Sequence, residues 1–183
     1  LYVVGSSNSV CYRVKVNKWQ PLSLNLPEPT KKEYVALKTD DYDLVDIDGF
    51  AFDDLYTIGK KGAVWHFNGT EWESIAFPSN MIMESICCAG DGYVYISGQN
   101  GTVFKGRDNQ WELIHRGEFS LPFKDMVWHA GKVWCTSDYG LWVIEKDKLS
   151  EAKLSDSMKV CAGNLSVADG VMLMAGVYGA AYH

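Results

Sequence analysis

The side chains that could do chemistry in this chain are histidines, cysteines and a run of aspartates, and their spacing decides what each could do. His66, His115, His129 and His183 stand in unrelated sequence surroundings, next to no serine or carboxylate in a nucleophile arrangement, so no triad can be drawn from them. Asp40, Asp41, Asp43, Asp46 and Asp48 before Gly49 invite a calcium loop. With Gly49 as the sixth position of such a loop, its first and twelfth positions fall on Leu44 and Leu55, where oxygen ligands are needed. A solvated strand edge is the better reading. Cys11, Cys87, Cys88, Cys135 and Cys161 include no CxxC pair and form no ligand cluster with histidine. They read as small buried apolar residues, reduced, which favours a cytoplasmic setting. Gly59-Lys60-Lys61-Gly62 has neither the length nor the following Lys-Ser/Thr of a phosphate loop. The residues therefore predict no catalytic site, no metal and no cofactor.

What must position these residues is a repeat. LYTIGKKGAVWHFNGTEWESI, from Leu55 to Ile75, is written again as VYISGQNGTVFKGRDNQWELI from Val94 to Ile114. Gly62, Gly101, Gly140 and Gly179 follow one another at steps of 39 residues. Inside a copy the apolar residues alternate in short runs, the period of half-buried strands. The second copy predicts strands at Ser85–Ala89, Tyr93–Ser97, Thr102–Lys105 and Trp111–Ile114, joined by tight turns. Four strands of about five or six residues with loops of about four fill roughly 40 residues, so one unit is one four-stranded antiparallel sheet. Such a sheet must stack on its neighbours, and this period is that of a propeller blade. Trp72 and Trp111, opening the fourth strand, are predicted to be buried and equivalent between blades.

The pattern apolar-x-x-Gly-x-x-Gly-Thr-Val-Phe, then a polar turn and Trp, is clearest at Val94 to Ile114. It resembles the propeller repeats of the photosystem II assembly factor family and is similar to the wider group of bacterial WD-repeat-like and sialidase-like propellers. The resemblance runs from about Leu1 to Tyr182 and implies a β-propeller, though such repeats specify a blade and seldom a function. The sialidase Asp-box is only half met at Thr136-Ser137-Asp138-Tyr139-Gly140-Leu141-Trp142, where the tryptophan comes one place early and the second threonine is missing.

A repeat running almost end to end predicts a single all-β propeller over residues 1–183. It comprises a partial blade at 1–24, an inserted loop at 25–43, blades at about 44–77, 83–116 and 122–155, and a partial blade at 160–183. The chain starts inside a strand pattern without an initiating Met, which reads as a missing natural beginning. Three complete blades and two three-stranded ones point to a larger ring of six to eight blades. The insertion is visible because Gly5 to Gly59 spans 54 residues where later spacings are 39. It holds two prolines and a charged run, with a short helical or strand turn at Glu33 to Leu37. Acidic residues outnumber basic ones, 23 to 17, which argues against nucleic acid. The apolar tail Val171 to Tyr182 is too short to span a bilayer.

These features predict a non-enzymatic scaffold that binds a protein partner, either an assembly factor or a toxin-neutralising immunity protein. The binding surface is expected on the turns of one propeller face: Lys60, Lys61, Gln99, Asn100, Asp138, Tyr139 and Tyr178, with the insertion Pro27–Asp43. The alternatives are a sialidase- or lyase-like enzyme, with Asp48, Asp125, His129 and Asn164 converging on a central channel, and an extracytoplasmic sensor domain.

Overall fold

A computed structural model of the chain describes residues 1–36, 38–117, 122–137 and 140–183. The chain divides into two compact units, Leu1–Met83 and Glu84–His183, and each is described by itself.

The first unit opens with an antiparallel sheet of β1 (Tyr2–Gly5), β2 (Ser9–Lys15) and β3 (Lys18–Pro21), in that order. After α1 (Lys31–Val35) and a 3-10 turn at Asp40–Tyr42 comes a four-stranded meander: β4 (Leu44–Ala51), β5 (Asp54–Gly59), β6 (Val64–Phe67) and β7 (Trp72–Ser74). Val10, Leu26, Leu44, Leu55, Phe67 and Trp72 form one buried cluster within the unit, which is how half-apolar sheets satisfy their inner faces. Trp72 is the anchor. It is 1% exposed, its indole N–H donates to Leu22 O at 2.8 Å, and its backbone N–H and C=O are both held by the Asn25 side-chain amide, at 2.9 and 2.8 Å.

The second unit carries a sheet of β8 (Met83–Cys88, whose first residue belongs to the first unit), β9 (Val94–Gly98), β10 (Val103–Arg107) and β11 (Gln110–His115). A second sheet follows, of β12 (Asp125–His129), β13 (Lys132–Ser137), β14 (Gly140–Glu145) and β15 (Lys148–Glu151). After α2 (Asp156–Lys159) the last sheet has three strands, β16 (Asn164–Ala168), β17 (Val171–Gly176) and β18 (Gly179–Tyr182). Cys87, Tyr95, Val103, Phe123, Met126, Val133 and Cys135 belong to one core cluster of this unit. Trp134, Leu141, Leu165, Met172 and Met174 belong to another. Hydroxyls tie one sheet to the segment that starts the next: Ser97 Oγ donates to Phe123 O at 2.8 Å and Thr136 Oγ1 to Gly163 O at 2.5 Å. All five residues of β9 are buried, whereas β17 alternates, with Met172 and Met174 buried and Val171 and Leu173 exposed.

The predicted three complete and two three-stranded sheets are all present, with the expected strand order inside each. One expectation needs correction. Trp111 is half-buried, unlike Trp72, because it folds back on its own hairpin: its indole N–H donates to Asp108 O at 2.8 Å. It also lies so close over Gly106 that a Cβ there would come within 2.6 Å of the ring. Trp19, at the matching place in the first sheet, is 43% exposed. The short turn expected in the insertion at Glu33 to Leu37 is a helix that begins two residues earlier, at Lys31–Val35. Leu37, the end of the predicted turn, lies outside the described residues.

All five cysteines are thiols outside any disulfide; Cys87, Cys135 and Cys161 are buried. Burial, and secondarily the nearby Asp125, push the Cys135 thiol well above its ordinary pKa, which suppresses the thiolate that thiol reagents attack. A thiol-reagent titration should count five thiols after denaturation, with Cys135 unreactive in the folded chain. A non-reducing mass measurement showing a disulfide would contradict this.

Candidate partner-binding surface

In the first unit the insertion is held against two turns. Thr30 and Glu33 make a capping box around the start of α1: Glu33 N–H donates to Thr30 Oγ1 at 3.3 Å, and Thr30 N–H to Glu33 Oε2 at 2.8 Å. A five-residue helix does not persist alone in water, so such caps and tertiary ties decide whether it forms. Those ties are specific. Tyr34 Oη donates to Ser7 Oγ at 3.0 Å, Asn8 Nδ2 to Pro27 O at 2.8 Å, and Asn8 N–H to Tyr42 O at 2.5 Å. Asn8 is itself buried, at 6% exposure.

Lys60 and Lys61, placed by sequence among the partner-contacting residues, lie on the 3-10 turn between β5 and β6. Lys60 Nζ sits 3.0 Å from Asp43 Oδ2, and Lys61 Nζ pairs with Asp41. Their first role is therefore to fasten the insertion to the turn. The hydrogen bond to Asp43 raises the Lys60 pKa, against a smaller opposing effect of desolvation. Lys61 adopts φ 58° and Gly62 φ 77°. A Cβ at Gly62 would lie 2.1 Å from Ser79 O, so both conformation and space require glycine there. Beyond these ties, α1 displays Tyr34 and Val35, 50% and 79% exposed.

The Thr30 hydroxyl and then its backbone N–H lower the Glu33 carboxyl pKa. A carboxylate whose folded pKa is depressed contributes above its unfolded value of about 4.3, and that contribution is lost as pH falls through the folded value. Exchange of the Tyr34 and Ala36 amides, corrected for intrinsic rates, should therefore accelerate on acidification below about pH 4. The acceleration should be absent in Glu33→Gln; an identical acid response in that variant would contradict the role of the box.

In the second unit Gln99 and Asn100 are exposed on the turn from β9 to β10. Its backbone repeats that at Lys60–Gly62, with Asn100 at φ 59° and Gly101 at φ 73°. Tyr178, on the turn from β17 to β18, is 83% exposed beside Val177 at 94%. It edges a cleft of about 960 Å3 whose walls include Lys124, Lys159, Val160, Asn164 and Val177. Asp138 and Tyr139 lie outside the described residues.

The polar residues of the enzymatic alternative do different things. Asp125 Oδ2 accepts the Leu165 N–H at 2.7 Å, and burial raises its pKa despite that bond. His129 stands at the other end of β12, about 13 Å away at the rise of an extended strand, and its Nε2 lies 3.0 Å from His183 Nδ1. Asp48 Oδ1 accepts the N–H of Gly49 at 2.8 Å. Among the described residues no group of three or more His, Cys, Asp or Glu could hold a metal ion. No helix of the described residues is long and apolar enough to cross a membrane.

Antiparallel meanders stacked in this way define a β-propeller-type repeat protein, and solved propellers superpose on the chain. Virginiamycin B lyase from Staphylococcus aureus matches with TM-score 0.66 at 9% identity, over 95% of this chain and 61% of that one. YCF48 from Cyanidioschyzon merolae matches with TM-score 0.66 at 10% identity, over 99% of this chain and 64% of that one. These likenesses establish the fold alone. No family model matches the chain. Among curated proteins, Immune protein Tsi7 of Pseudomonas aeruginosa is 29% identical over 171 residues, covering 93% of this chain and 54% of Tsi7. The chain thus spans about half the length of that relative.

Proposed function

We propose that this chain is a non-enzymatic scaffold of the immunity type, which binds and neutralises a partner toxin through a rigid loop surface. The observation that carries this reading is the similarity to an immune protein running along 93% of the chain. The geometry supports it. A recognition surface gains affinity when its loops are ordered before the partner arrives, and the capping box, the Tyr34–Ser7 bond and the two Lys–Asp pairs order the insertion in that way.

In this reading Tyr34 and Val35 meet the partner, Lys60 and Lys61 hold the insertion in place, and Gln99, Asn100, Asp138, Tyr139 and Tyr178 add contacts from the other turns. The five sheets belong to a propeller ring of six to eight blades, within the four to eight at which such rings typically close. A cytoplasmic setting fits the five thiols outside any disulfide. Co-expression with a candidate toxin, chosen as a protein that arrests growth when expressed alone and is captured by the purified chain, tests the function. Growth should be restored by the chain, whereas unrelieved toxicity with the chain soluble and abundant would count against the proposal.

A further inference from the structure

The end of β12 holds a pair of histidines that neither the fold nor the partner surface requires. His129 is 7% exposed, and its Nε2 lies 3.0 Å from Nδ1 of His183, the residue after β18. Both are fixed by their surroundings. The His183 backbone exchanges hydrogen bonds with Met172, at 2.8 and 2.9 Å. The His129 carbonyl accepts the Trp134 indole N–H at 3.0 Å, and the Trp134 ring lies 4.9 Å from the His183 ring. Lys132, opposite His129 in the strand register, is occupied by Glu145 at 3.0 Å.

We propose that His129 and His183 form a two-imidazole site for a divalent transition-metal ion such as zinc or nickel. Imidazole nitrogens bind such ions at about 2.0–2.1 Å, and two bonds of that length at roughly a right angle place the nitrogens about 3 Å apart, the separation found here. The proton now shared between the rings must give way. The ring that carries it moves to its other tautomer, with the proton on the far nitrogen, and the rings turn so that both lone pairs aim at the ion; both then ligate as neutral imidazoles and no net proton is released. Water completes the coordination. The ion would staple the end of β12 to the β17–β18 hairpin, two elements that otherwise meet through side-chain packing.

The site is tested on the tag-free chain by thermal unfolding at pH 7.5 in increasing ZnCl2 or NiCl2, with MgCl2 as control. A ligand held only by the folded state raises the midpoint as its concentration passes Kd. The expected result is a saturable rise of several degrees with zinc and nickel and none with magnesium. It should be absent in His129→Asn and in His183→Gln. His183 is exposed, so its variant keeps the fold and separates loss of the site from loss of stability. No rise with either ion, or the same rise in His183→Gln, would overturn the site. Neither result depends on the proposed toxin, so this inference and the immunity reading fail separately.

Discussion

Replacing Trp72 with alanine is expected to remove about 3–5 kcal/mol of stability, the cost of emptying a buried aromatic site. The side chain is 1% exposed and its ring lies 5.3 Å from that of Phe67. The Asn25 amide that braces its backbone fixes the route by which the chain leaves the first sheet for the insertion. Trp111→Ala should cost markedly less, because that ring is only half-buried and bonds within its own hairpin. Urea unfolding of both variants decides the matter. Equal midpoints would mean that the two tryptophans are interchangeable packing units, as their matching sequence positions suggest, and that the difference in burial has no energetic weight.

The second large effect is expected in binding. Val35→Asp puts a charge at the most exposed apolar position of α1, 79% open to solvent. If this helix is central to the interface, affinity for the toxin should fall at least about tenfold, as it does when a central apolar contact is lost. The unfolding midpoint should hardly move, since exposed substitutions away from special features usually change stability by no more than about 0.5 kcal/mol. Calorimetric titration of the variant is the check. Unchanged affinity would shift the interface to the turns carrying Gln99, Asn100 and Tyr178.

The fold was largely legible in the sequence because its determinants are local. Alternating apolar residues name the strands, and the glycines of the turns at Lys60–Gly62 and Gln99–Gly101 recur because those backbones need positive φ. The insertion was legible as a break in the spacing with a short turn in it, but the ties that hold it were not. Its order comes from partners far away in sequence, such as Asn8 for Pro27 and Ser7 for Tyr34, and no periodicity encodes such pairs. Lys60 and Lys61 illustrate the consequence for the site. As turn residues they read as partner contacts, and the structure adds that Lys60 pairs with Asp43 and Lys61 with Asp41 in largely exposed ion pairs. The one available signal was the acidic run of the insertion, whose nearness to those lysines is set by the fold and not by the spacing.

The chain acts by occupancy and not by turnover in the proposed function, and a stoichiometric titration tests that most directly. A fixed amount of the toxin whose growth arrest the chain relieves is incubated with increasing purified chain, and residual toxin activity is followed over time. The prediction is a linear fall that ends at one chain per toxin and does not progress with longer incubation. Slow, complete inactivation of toxin by a substoichiometric amount of chain, or no inhibition at any ratio, would contradict it.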